Sequence, residues 1–153
     1  MTGKNPWSFA SIGGGPLHAL LVPFPLVCFV GAFVSDVVYW QSANMMWANF
    51  SAWLLAVGLI IAIFVVITGL IDFVANRQVQ NRRAAWIHVI GNLAAIILSI
   101  INSFVHSRDA YTSVVPTGLA LSGIVVLILL VTSWNGWTMV YRHSVGVVAG
   151  GDQ

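Results

Sequence analysis

Glutamate is absent from this sequence, lysine occurs once, and charged residues make up only 7% of the 153 positions. Soluble domains carry roughly a quarter charged residues, so a chain this poor in them has too little charge to cover a water-facing surface. The single cysteine, Cys28, excludes an internal disulfide and a CxxC metal site. Within its apolar surroundings it is expected to pack as a small hydrophobe. There is no GxSxG elbow, no Ser/His/Asp set and no pair of catalytic carboxylates, so hydrolase chemistry has no support. The triplet Gly13, Gly14 and Gly15 lacks the Lys and Ser/Thr of a phosphate loop. A formal net charge of +2 makes the pI of about 9.1 a consequence of a few loop arginines, and nucleic acid is not expected as a partner.

What fills the chain is apolar: 59% of residues are hydrophobic and the mean hydropathy is +0.92. The stretches 5–35, 37–71, 84–107 and 110–141 contain no Lys, Arg, Asp or Glu. Each exceeds the roughly 20 apolar residues that a bilayer-spanning helix needs. The expected fold is therefore all-α, a four-helix transmembrane bundle of up-down topology. Its spans are placed at about His18–Trp40, Met46–Asn76, Ala84–His106 and Thr117–His143, with Pro23 and Pro25 in or near the first turns of span one. Residues 1–17 are assigned to an N-terminal arm, 18–143 to the membrane domain and 144–153 to a tail. The connections QSANM, RQVQNRR and SRDAYTSVVP are short enough to make consecutive helices antiparallel neighbours.

Lys4, Arg77, Arg82, Arg83 and Arg142 fall on one side of these spans and only Arg108 on the other, which predicts cytoplasmic termini. A bacterial inner membrane is the expected location. Trp40 and Trp47 on one side, with Trp86 and Tyr141 on the other, suit the headgroup level. Trp53, Trp134 and Trp137 lie deeper and are candidates for packing against a neighbour or a cofactor.

Ionisable residues inside spans are costly, by roughly 2.5–3.5 kcal/mol on insertion scales, so each calls for a partner, a cavity or a cofactor. In span three, His88, Asn92, Ala95, Ser99, Asn102 and His106 recur every three or four residues and form one polar and small face directed into the bundle. His88 and His106 are five helical turns apart, about 27 Å along the axis. Span one repeats the spacing with His18 and Asp36. Alternating helix direction gathers His18, Asp72, His88 and His143 in one layer and Asp36 and His106 in the other. Imidazole serves both as a metal ligand and as a proton carrier, and spacing alone does not choose between these uses.

For haem b, His18 and His88 are the expected axial ligands, diagonal across the bundle, with Gly69 and Gly91 as positions that make room for a ring. A non-haem metal held by His18, His88, His143 and Asp72 is an alternative without a local signature such as HxxxH. A third alternative has no cofactor: the polar layers only fix helix register through interhelical hydrogen bonds. Asp36 and His106 form a secondary polar site, suited to a proton relay, a second cofactor or a hydrated structural contact.

HALLVPFP with His18 and Pro25, Ser35-Asp36 ending span one, Gly69-x2-Asp72 ending span two, His88-x3-Asn92, and the closing GWTMVYRHSVGV occur in this order along the chain. In these motifs the chain resembles the bacterial membrane family known as domain of unknown function 2231. The resemblance runs over about residues 16–147. The family's usual opening is His-Pro, whereas Ala19 follows His18 here. Some relatives are joined to Rieske iron-sulfur or c-type cytochrome domains, which implies electron transfer for similar bundles. The resemblance covers His18, Asp36, Asp72, His88, Asn92 and His143. The expected function is thus a small redox-associated subunit rather than a stand-alone enzyme: His18 and His88 bind haem b, Asp72 and Asn92 orient the ligands, and His143 lies at the edge. Its expected partners are lipid and other membrane or redox subunits, in an oligomer or complex. A cofactor-free scaffold subunit and a proton-linked transporter are the alternatives.

Overall fold

The computed structural model describes residues 11–12, 15–75, 83–108 and 110–143. A two-residue ladder, β1 (Ser11–Ile12) with β2 (Gly15–Pro16), precedes the helices. The helices are α1 (Leu17–Leu21), α2 (Pro23–Ser42), α3 (Met45–Ala75), α4 (Arg83–His106) and α5 (Thr117–His143). A single 3-10 turn, Ala110–Ser113, leads into α5.

Together α1 and α2 make one span, Leu17–Ser42; the others are Met45–Val74, Arg83–His106 and Thr117–Trp137. All four are apolar and at least 21 residues long, enough to cross a hydrocarbon core of about 30 Å. In lipid every backbone N–H and C=O must be satisfied within the protein, which leaves helix as the available conformation for such sequences. The chain is thus a multi-pass membrane protein.

The helix boundaries have local causes. Pro23 occupies the first turn of α2, where a missing N–H removes no intrahelical bond, and the Val22 N–H still reaches the His18 carbonyl at 3.1 Å. At the far end Ala43 adopts φ 51° and donates its N–H to the Tyr39 carbonyl at 2.7 Å. The Asn44 Oδ1 then accepts the Met46 N–H at 3.0 Å, capping α3, so a two-residue connection reverses the chain.

Around the bundle α2 packs on α3 and α5, and α4 packs on the same two helices. This leaves α2 diagonal to α4, as the short connections predict. Phe29, Ala32, Leu55, Ala95, Val125 and Leu129 form a buried apolar cluster at mid-height. Gly58 lets α3 approach here, since a Cβ at this position would lie 2.9 Å from the Phe29 ring. A smaller cluster of Tyr39, Ala48 and Val114 closes the end that holds His106. Outward faces carry Phe, Ile, Leu and Val, as lipid requires, and close van der Waals packing rather than water exclusion holds the helices together.

Candidate functional site

Two polar layers lie above and below the apolar cluster. In the first, His18 on α1 and His88 on α4 meet across the bundle with ring centres 5.9 Å apart and planes at 84°. Each ring is anchored by a backbone carbonyl of a neighbouring helix. His18 Nδ1 lies 3.0 Å from the Val65 oxygen and His88 Nδ1 lies 2.9 Å from the Thr132 oxygen. A carbonyl only accepts, so both Nδ1 atoms carry hydrogen, and in the neutral ring Nε2 keeps its lone pair. Neither Nε2 forms a hydrogen bond with another described residue.

Glycine makes these placements possible. A Cβ at Gly69 would stand 2.7 Å from His18 Cε1, and one at Gly136 would stand 3.0 Å from His88 Cε1. Gly69, expected to make room for a porphyrin, instead receives the imidazole of His18. Gly91 likewise receives the Thr132 side chain, with no space for a Cβ.

The remaining expected residues of this layer have separate roles. Half-buried Asp72 acts electrostatically on His18. Asn92 Nδ2 donates to the His88 carbonyl oxygen at 2.7 Å, so its amide serves the backbone of its own helix rather than an imidazole. His143 is the final residue of α5, and its side chain lies outside the described residues. Among the described residues no group of three or more His, Cys, Asp or Glu is placed to hold a metal ion. Trp53, Trp134 and Trp137 are more than half exposed and face away from the bundle interior.

The second layer is tighter and joins all four spans. His106 Nε2 lies 2.9 Å from Asp36 Oδ1 and 3.2 Å from Ser51 Oγ, while His106 Nδ1 lies 3.0 Å from the Asn102 carbonyl oxygen. Ser122 Oγ donates to Asp36 Oδ2 at 2.5 Å, and Asn102 Nδ2 donates to Ser122 Oγ at 2.7 Å. Asp36, Ser51 and Asn102 are fully buried, and Ser122 nearly so. Here too a glycine admits the ring: a Cβ at Gly118 would lie 2.8 Å from His106 Cε1. The pairing of Asp36 with His106 follows from their depth. The serines that complete the hub, Ser51 and Ser122, carry no sequence signal beyond lying in spans.

Four apolar spans enclosing a polar layer near each end define a small multi-pass helical membrane protein. The family model described as "Predicted membrane protein (DUF2231)" matches residues 14–149, and the chain belongs to that family. No curated protein and no solved structure matches the chain.

Proposed function

We propose that this protein is a membrane redox subunit in which His18 and His88 ligate a haem b iron and pass single electrons to a partner. The observation that supports this is the pair itself. Two imidazoles from diagonal helices stand 5.9 Å apart, each with Nδ1 held by a carbonyl and Nε2 left as a donor atom. Two imidazoles sharing one metal at about 2.0–2.1 Å per bond have ring centres roughly 6 Å apart. A carbonyl on the second ring nitrogen is also the usual outer partner of a ligating histidine. The ring spacing thus suits two imidazoles sharing one iron, while a porphyrin would have to find room other than at Gly69 and Gly91, which receive His18 and Thr132. The group would supply one-electron chemistry; the protein would fix the imidazole tautomers and surround them with low dielectric. On this proposal the termini and His18 lie on the cytoplasmic side of a bacterial inner membrane, as the arginine distribution favours.

A cofactor-free scaffold is the second proposal, favoured by the Asp36 hub, which links all four spans through direct side-chain hydrogen bonds. Visible spectra of the detergent-purified protein, oxidised and dithionite-reduced, separate the two. A Soret band with reduced α and β bands, lost in His88→Ala, is the expected result. A colourless, folded protein would overturn the haem assignment and leave the scaffold.

A further inference from the structure

Both ring nitrogens of His106 face acceptors: Nδ1 the Asn102 carbonyl at 3.0 Å and Nε2 the Asp36 carboxyl at 2.9 Å. The carbonyl requires hydrogen on Nδ1. At Nε2 two arrangements satisfy the geometry: an imidazolium donating to a carboxylate, or a carboxylic acid donating to a neutral imidazole. They differ only in where one proton sits between Nε2 and Oδ1, and both are neutral overall.

The surrounding hydroxyls are committed in ways that do not supply this proton. The Ser122 hydrogen goes to Asp36 Oδ2, and Ser122 in turn accepts from Asn102 Nδ2. Ser51 Oγ donates to the Ala32 carbonyl at 3.3 Å and lies 3.2 Å from His106 Nε2. No other charged side chain among the described residues faces the pair. The α3 and α5 helices contribute Ser51 and Ser122, Tyr39 on α2 donates to Met45 Sδ, and Arg108 beyond α4 is exposed.

We infer that Asp36 and His106 form a proton-binding site that holds one proton between them, and that this proton keeps α2 and α4 together at the His106 end. Removing it leaves a bare Nε2 facing a carboxylate at hydrogen-bond distance. That places two acceptors in contact and one uncompensated negative charge inside the bundle, which the closed geometry does not support. Release therefore requires this end to open. Asn102 Oδ1, buried and without a partner among the described residues, is an acceptor beside the hub for a water that carries the proton away.

The chain has four histidines and four aspartates, so 15N-histidine and 13C-aspartate labelling gives few signals. In neutral buffer the intact protein is expected to show His106 with hydrogen on both nitrogens, or a bare His106 Nε2 together with a protonated Asp36. The variants His106→Gln and Asp36→Asn assign these signals. If they do not fold, Asp72→Asn, Asp109→Asn and Asp152→Asn identify Asp36 by elimination. A bare Nε2 together with an ionised Asp36 would overturn the site. Raising the pH until the shared proton is lost should lower the protection factors in Ser113–Ala120 at least tenfold, after correction for the intrinsic base-catalysed rise of amide exchange with pH. Unchanged protection factors there would overturn the link between proton and closure.

Discussion

Gly69 and Gly136 hold equivalent places in the two helical hairpins of this protein. Each lies against a histidine of the preceding span, and the carbonyl four residues earlier, of Val65 or Thr132, anchors that histidine's Nδ1. The equivalence extends along both hairpins. His18 and His88 are 70 positions apart, as are Asp36 and His106, while Val65 and Thr132, like Gly69 and Gly136, are 67 apart. The buried residues Pro25, Phe29, Ala32, Ser35 and Asp36 have Ala95, Ser99, Asn102, Val105 and His106 at the same 70-residue offset. The bundle is thus two parallel hairpins about an approximate two-fold axis along its length, an arrangement known among membrane proteins. At one end the axis passes between two histidines; at the other, between an aspartate and a histidine.

Gly69→Ala places a methyl group 2.7 Å from the His18 ring. Alanine gains about 1 kcal/mol of helix propensity over glycine, but overpacking of this kind costs about 1–3 kcal/mol. The expected result is a net loss of thermal stability in detergent and displacement of His18 from Val65. Gly136→Ala, with 3.0 Å available, should be milder. Equal effects, or a stabilised Gly69→Ala, would contradict the packing.

Asp36→Leu removes the carboxyl that is hydrogen-bonded to His106 and accepts from Ser122. Breaking a buried pair by deleting one partner costs about 3–5 kcal/mol, whereas a hydrogen bond between membrane helices averages only about 0.6 kcal/mol. A cost between these figures is expected, because His106 is left buried but neutral, with Ser51 as its remaining side-chain partner. Ser99→Ala is the control: its hydroxyl bonds only the Ala95 carbonyl of its own helix, and a change within about 0.5 kcal/mol is expected. Chemical unfolding in mixed micelles compares the two.

The turn between α2 and α3 offers a stabilising substitution. Ala43 sits at φ 51°, where a residue with a Cβ pays about 1–2 kcal/mol that glycine avoids. Ala43→Gly should raise the melting temperature, while Asn44→Ala should lower stability by about 1 kcal/mol through loss of the cap on α3.

Asn92 separates two roles for the His88 neighbourhood. Its amide bonds the His88 carbonyl oxygen and not the ring, so Asn92→Leu should leave the His88 anchor on Thr132 intact. If a haem is bound, its spectrum should stay within a few nanometres of the parent's, whereas His18→Ala abolishes it. Loss of the spectrum in folded Asn92→Leu would assign the amide a ligand-orienting role.

The spans, their antiparallel order and the diagonal meeting of His18 with His88 were legible in the sequence, because charge-free length and 18-residue spacings map directly onto helix geometry. The Asp36–His106 contact followed from equal depth. The anchors did not: Val65 and Thr132 act through backbone carbonyls, which every residue has, so no side-chain pattern marks them. Ser51 and Ser122 resemble Ser99, which merely bonds its own helix. The two-hairpin equivalence was hidden because its offsets differ, 70 in the first helices and 67 in the second, and because lipid-facing positions need only be apolar.

The closed layer of Phe29, Leu55, Val125 and Leu129 has an electrical consequence. Such a slab, lined mainly by apolar side chains, is where a transmembrane voltage falls steeply, and a unit charge crossing the full potential exchanges about 2.3 kcal/mol per 100 mV. A charge arriving at either polar layer from its own side traverses little of that drop. The apolar cluster thus holds the two polar layers, His18–His88 and Asp36–His106, electrically apart as well as at opposite ends of the bundle.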